Sequence, residues 1–91
     1  MRTSELLCPN PFNPTTRIGF SLYREEHVTL AIYDVKGRLV TTLLDERALA
    51  GVNSVEWDGR DANGNVVSGG VYFYRLEVGA EILTKRMVLL K

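Results

Sequence analysis

Trp-Asp-Gly-Arg-Asp-Ala-Asn-Gly-Asn at residues 57–65, Gly-Gly-Val-Tyr-Phe-Tyr-Arg-Leu at residues 69–76 and Thr-Lys-Arg-Met-Val-Leu-Leu-Lys at residues 84–91 decide the fold. A loop dense in glycine, asparagine and aspartate joins two runs rich in β-branched and aromatic residues, which favour strands. The last run is an apolar strand, and no candidate catalytic group lies near it. We therefore expect a small β-domain that another protein binds or presents, and not an enzyme.

The preceding sequence alternates between apolar and polar residues, as half-buried strands do. Ile18, Phe20 and Leu22 share one face of the first such run, and Val28, Leu30 and Ile32 repeat the pattern. Residues 45–50 are the one helix-like patch, and they are too short to be more than a turn. The predicted strands are 17–23, 27–33, 38–44, 52–58, 71–78 and 81–90.

Six or seven short strands with a turn signal every 8 to 12 residues indicate an all-β fold. We predict a small antiparallel immunoglobulin-like β-sandwich at residues 9–91, preceded by an N-terminal extension or linker at residues 1–8. The single cysteine, Cys8, excludes the immunoglobulin disulfide. Its packing role would then pass to Trp57 and the tyrosines.

Three other residues are expected to serve the structure. Phe12 is a large apolar side chain in a stiff proline-rich segment, and we expect it to plug one end of the core. Gly37 follows Asp34-Val35-Lys36 and accepts the positive φ of a hairpin turn. Asn63-Gly64 is a strong hairpin signal of the same kind.

Composition excludes several functions for the chain. The 91 residues carry eleven basic and eleven acidic side chains, so electrostatic attraction to nucleic acid is not expected. No apolar run approaches the roughly 20 residues of a membrane span. The N-terminus also has no apolar run long enough for a signal peptide.

Each candidate chemical site has a simpler interpretation. The loop 58–65 suggests calcium, since it carries Asp58, Asp61, Asn63 and Asn65 around Gly64. Gly59, however, stands at the first ligand position of an EF-hand pattern, and turn formation is the alternative. His27, the sole histidine, falls on a polar face away from any nucleophile. Glu25 and Glu26 are adjacent, so their carboxylates diverge. We therefore predict no catalytic residue, no metal site and no cofactor.

The last strand is different, because Met87-Val88-Leu89-Leu90 is apolar on both faces. Such a strand is either internal to a sandwich or an edge that awaits a partner. In the second case it is a docking element, read by backbone pairing and by capture of the terminal carboxylate.

Five blocks of the sequence together resemble a known family, the type A C-terminal sorting domain of the type IX secretion system. The same fold resembles the immunoglobulin-like domain of flagellar hook-capping proteins. The resemblance covers residues 8–91. The blocks are 9–16 (PNPFNPTT), 33–38 (YDVKGR), 57–59 (WDG), 68–76 (SGGVYFYRL) and 85–91 (KRMVLLK).

The sorting-domain resemblance implies an address label. The partners would be outer-membrane translocon components and an attached cargo domain, with passage through the periplasm to the cell surface or medium. The cargo and its signal peptide are absent from the sequence, so we expect the chain to be the tail of a longer protein. The residues expected to contact the partner, on the strands 69–76 and 85–91, are Gly70, Tyr72, Tyr74, Lys85, Arg86, Val88, Leu90 and Lys91.

Two other functions stay open at this point. A structural or adhesive module of the hook-capping type would use its surface strands to bind a polymerising partner. A carbohydrate-binding module would stack sugars on the aromatic run Tyr72-Phe73-Tyr74, although alternation divides that run between two faces.

Overall fold

The computed structural model describes residues 2–7 and 16–90, which form seven β-strands. Backbone hydrogen bonds organise these strands into two antiparallel sheets, which confirms the predicted sandwich. The strands are β1 (Arg2–Leu7), β2 (Thr16–Leu22), β3 (Glu26–Tyr33), β4 (Leu39–Ala48), β5 (Gly51–Trp57), β6 (Gly70–Val78) and β7 (Glu81–Leu89).

The strand order is β1-β2-β5 in one sheet and β4-β3-β6-β7 in the other. β3 lies at the centre of the larger sheet, where it pairs with β4 on one side and β6 on the other. β7 pairs with β6 only and is an edge strand of the larger sheet among the described strands.

The core lies between the two sheets. It is built from the inward-facing side chains, which occur at every second residue along a strand. Its members are less than a tenth exposed, and Trp57, Tyr72 and Tyr74 are the largest of them. Trp57, Tyr72 and Tyr74 thus pack as expected, whereas Tyr23 is 81% exposed and takes no part in the core. The core residues are Ile18, Phe20, Leu22, Val28, Leu30, Ile32, Trp57, Tyr72, Tyr74, Leu76, Val78, Met87 and Leu89.

The helix-like turn predicted at residues 45–50 is wrong. Strand β4 continues to Ala48, because residues 45–48 pair with residues 26–29 of β3. The Arg47 Nε lies 3.3 Å from the Glu25 carboxylate, which adds a cross-strand ion pair to the ladder. Sheet pairing therefore overrides the weak local helix preference of this segment.

The segment 1–8, predicted to be an extension or linker, contains β1. This strand pairs with β2 from Arg2 opposite Ser21 to Leu7 opposite Arg17, with one irregularity between Thr3 and Leu6. The extension thus contributes a strand to the smaller sheet. Phe12 lies outside the described residues, so its predicted role as a plug stays a prediction.

Within residues 2–7 and 16–90, no helix has the length and hydrophobicity that crossing a membrane would require.

Candidate partner-binding surface

Strands β6 and β7 form a two-stranded ribbon at one edge of the larger sheet. Gly70 lies opposite Leu89, Tyr72 opposite Met87, and Tyr74 opposite Lys85. The two sequence blocks expected to be recognised therefore lie side by side. Recognition of this ribbon by a partner stays a prediction.

One face of the ribbon belongs to the core. Tyr72 and Tyr74 are 8% and 1% exposed, and Met87 and Leu89 are equally buried. The prediction that Tyr72 and Tyr74 contact a partner is therefore wrong, since their rings pack between the sheets. They serve the structure and hold the ribbon in place.

The opposite side, called here the outer ribbon face, consists of Val71, Phe73, Arg86 and Val88. Val71 lies opposite Val88, and Phe73 lies opposite Arg86. Val88 is 49% exposed, and Arg86 is exposed as well. Sequence reasoning selected Arg86 and Val88 but missed the two β6 residues. Their signal was the same alternation, because every second residue after the buried Tyr72 must point away from the core.

Positive charge distinguishes this edge of the sheet. Neither Lys85 nor Arg86 forms an ion pair with a residue that the structure describes. The Arg75 guanidinium, by contrast, lies 3.2 Å from Glu77 and 6.0 Å from the centre of the Tyr33 ring. Arg75 is thus already engaged, whereas Lys85 and Arg86 are available to a partner.

The predicted partner residues do not all share one face. Lys85 lies opposite Tyr74 on the core-facing side, at the margin where it is exposed, while Arg86 lies on the outer face. Leu90 follows the end of β7 and is 44% exposed. Lys91, with the terminal carboxylate, lies outside the described residues, so carboxylate capture stays a prediction.

Gly70 begins β6 with a φ of +142°, a value that side chains disfavour. An added Cβ would meet no atom within 4 Å, so the backbone angle alone accounts for the glycine. The glycine therefore has a structural explanation that does not require a partner.

Two five-residue turns beside the ribbon have the same construction. In the first, Asp34 Oδ1 accepts hydrogen bonds from the backbone amides of Lys36 and Arg38, both at 2.9 Å. In the second, Asp61 Oδ1 accepts them from Asn63 and Asn65, at 2.9 and 3.0 Å. Each turn encloses a three-residue hairpin loop whose last residue is a glycine at positive φ.

The glycines of the two turns confirm their predicted roles, because Gly37 has a φ of +79° and Gly64 a φ of +84°. Of the calcium candidates, Asp61 uses its carboxylate to accept the backbone hydrogen bonds of the second turn. Among the described side chains, the structure contains no group of three or more histidine, cysteine, aspartate or glutamate residues arranged for a metal ion.

The second turn is joined to β4, just beyond the first turn, where the Ala62 amide donates a 3.0 Å hydrogen bond to the Val40 carbonyl. Between them lies an open groove of about 540 Å³, and Tyr72 lines its floor. The Tyr72 hydroxyl donates a 2.6 Å hydrogen bond to the Ser68 carbonyl, which fixes the loop that leads into β6.

An aromatic pair closes this end of the core. The Trp57 and Tyr72 rings meet edge to face, with centroids 5.4 Å apart and planes 69° apart. The Trp57 indole donates to the Arg60 carbonyl at 2.9 Å, so its one polar atom is satisfied although the ring is buried. Burial raises the pKa of Tyr72, and the Asp34 carboxylate adds to that effect.

The remaining polar candidates lie on the surface, at the other end of the larger sheet. His27 is exposed, as alternation predicted, and its Nε2 lies 2.5 Å from Asp45 Oδ1 on the neighbouring strand. Glu25 and Glu26 face different partners, Arg47 and Arg24. These contacts are polar contacts across the sheet and in a turn, and they support the sheet.

Residues 10–81 match the family model of the FlgD Ig-like domain. The chain belongs to this family. The match covers most of the sandwich and ends at the first residue of β7. No curated protein matches the chain.

Two solved structures show the same fold. FlgD from P. aeruginosa superposes with a TM-score of 0.70 and 22% identity, over 97% of this chain and 70% of FlgD. Dimeric latent PorU from Porphyromonas gingivalis superposes with a TM-score of 0.75 and 22% identity, over 98% of this chain. The chain spans only 9% of PorU, so this likeness concerns one domain of a much longer protein.

Proposed function

We propose that this FlgD Ig-like domain is a noncatalytic sorting module that directs an attached cargo protein through the type IX secretion system. The observation that carries the proposal is the exposed edge strand β7, with Arg86 and Val88 pointing outward beside β6. The two sequence blocks that resemble the recognition elements of sorting domains meet at this edge.

The recognition mechanism needs no reaction at the domain itself. An edge strand offers unpaired backbone amides and carbonyls, and a translocon component can add a strand to them. The outward side chains of β7 would then select the partner, with Arg86 supplying charge and Val88 supplying apolar contact. The domain would pass through the periplasm and reach the outer membrane, the cell surface or the medium together with its cargo.

The test fuses a signal peptide and a reporter to the N-terminus of the chain in a host that carries the secretion system. The variant Arg86→Glu/Val88→Asp changes the outward residues and leaves the buried Met87 and Leu89 intact. We expect the reporter to stay in the periplasm, because both the charge and the apolar contact of the edge are lost. Surface delivery is measured by protease accessibility on intact cells.

The matched control is Thr42→Glu, an exposed change on β4 at the opposite edge of the same sheet. It should deliver the reporter as the parent does. Circular dichroism of the purified fusions checks that both variants fold. Equal delivery by the parent and the β7 variant would remove the proposal.

The family match supports a second candidate, a structural or adhesive module of the flagellar hook-capping type. In that case the domain would bind a polymerising partner rather than a secretion component. The discriminating experiment replaces the Ig-like domain of FlgD with this chain in a flagellated host. Restored hook assembly favours the structural module, and its absence together with type IX delivery of the reporter favours the sorting module.

A further inference from the structure

Strand β7 carries opposite charges at two positions of one face. Glu81 begins the strand and Lys85 follows four residues later, so a period of two places both on the same side, with Leu83 between them. Leu83 is partly buried against the core, and Glu81 and Lys85 are exposed. Leu83 therefore lies midway between an acidic and a basic side chain on the same face of β7.

We propose that β7 pairs in antiparallel fashion with β7 of a second copy of the chain, about a two-fold axis at Leu83. In this register each Glu81 lies opposite Lys85 of the other copy, which forms two equivalent ion pairs. Leu83 lies opposite itself and contributes an apolar contact between them. Such a two-fold interface is the common way for identical chains to associate.

The neighbouring registers are less favourable. Opposed residues must lie on the same face of a continuous sheet, so a two-fold axis has to pass beside a single residue. An axis at Lys85 or at Arg86 opposes two like charges directly. An axis at Thr84 places Leu83 opposite Lys85 and Ile82 opposite Arg86. Only the Leu83 register joins unlike charges twice.

The result is one continuous sheet of eight strands across two copies. The register pairs residues 81–85 of each β7 and so covers the first half of an edge that otherwise invites uncontrolled pairing. Arg86 and Val88, proposed above for partner recognition, lie beyond the paired stretch, since Arg86 falls opposite Ala80, before β7 begins. The inference concerns the purified domain and does not rest on the secretion proposal. One strand pair buries less surface than a standard interface, so we expect weak, concentration-dependent dimers.

The experiment is sedimentation equilibrium of the whole chain over a series of concentrations. The parent should reach a monomer–dimer equilibrium. Lys85→Glu and Glu81→Lys should each weaken the dimer roughly tenfold, because both ion pairs are lost and like charges oppose each other. The double variant Glu81→Lys/Lys85→Glu restores unlike pairs, and its dimer should return to within about threefold of the parent.

The matched control is Arg86→Glu, which makes the same charge change one residue away on the opposite face. In the proposed register it lies opposite Ala80, so it should change the dimer constant by less than about threefold. A parent that stays monomeric at every concentration would overturn the inference. A double variant that stays as weak as the single ones would overturn it too. An effect of Arg86→Glu equal to that of Lys85→Glu would overturn the register.

Discussion

Two buried tyrosines, two residues apart on β6, should differ in how their replacement by phenylalanine changes the stability. The Tyr72 hydroxyl donates a 2.6 Å hydrogen bond to the Ser68 carbonyl. The Tyr74 hydroxyl is buried and has no hydrogen-bond partner among the residues that the structure describes. Replacing each by phenylalanine removes one oxygen and leaves the ring in place.

The hydrogen bond sets the size of the first effect. A typical intramolecular hydrogen bond contributes about 1 kcal/mol net, so Tyr72→Phe should lower the free energy of unfolding by about that amount. A buried hydroxyl without a partner costs on the order of 1–3 kcal/mol, so Tyr74→Phe should leave the stability unchanged or raise it. The two variants should therefore differ by about 2 kcal/mol in their free energies of unfolding.

Urea unfolding followed by Trp57 fluorescence measures both variants, because Trp57 is the single tryptophan and lies in the core. In a domain of this size, 1 kcal/mol corresponds to a shift of about 4–8 °C in Tm, which thermal unfolding resolves easily. If Tyr74→Phe lost as much stability as Tyr72→Phe, the hydrogen-bond argument would fail. Ring packing alone would then govern this strand.

Three further outcomes follow from the turns and the buried rings. Burial raises the folded-state pKa of Tyr72 and Tyr74 above the ordinary value of 10.0. The free energy of unfolding should therefore fall as the pH rises beyond 10.0, and it should fall less steeply in the variant Tyr72→Phe/Tyr74→Phe. The hydrogen bond from the Arg38 amide is the main reason why the pKa of Asp34 lies below 3.8. The urea midpoint should therefore fall as the pH drops through that range, and it should fall less in the variant Asp34→Asn. Gly37→Ala should lose about 1–2 kcal/mol in urea unfolding because of its φ of +79°, whereas Gly69→Ala, without a positive φ, should lose little; equal losses would contradict the turn assignment.

The strands with clean alternation were the ones that the sequence predicted well. In β6 every second residue from Tyr72 to Val78 is buried, so the period of two could be read directly. The two turns could also be predicted from the sequence. In each, an aspartate accepts the backbone hydrogen bonds of the loop, and a glycine three residues later accepts the positive φ. Residues close together in the sequence determine these strands and turns, so the sequence alone is enough to predict them.

Strand β4 could not be predicted to its end. Its pairing with β3 shifts register between Leu30 and Ala31 and again between Ile32 and Tyr33, so its burial pattern loses the period of two. Its last residues are held by ion pairs across the sheet, such as Arg47 with Glu25. Contacts between residues distant in sequence leave no local pattern.

The residues predicted to contact a partner lie on both faces of the β6–β7 ribbon, and the buried Tyr72 and Tyr74 are among them. Resemblance selected whole blocks, and it could not separate the buried Tyr72 from the outward Phe73 beside it. That separation depends on which side of β6 faces the smaller sheet, a fact of the tertiary structure. The strand order was equally hidden, because the sequence left β7 as either an internal strand or an edge.

Contact between β7 and a secretion component is the claim on which the functional account depends. A photo-crosslinking amino acid placed at Val88, on the outer ribbon face, measures that contact directly in cells that export the reporter fusion. Val52, which is 84% exposed on β5 of the other sheet, is the matched position. The account predicts a crosslink to an outer-membrane translocon component from Val88 and none from Val52. Crosslinking from Val52 alone, or equally from both positions, would contradict it.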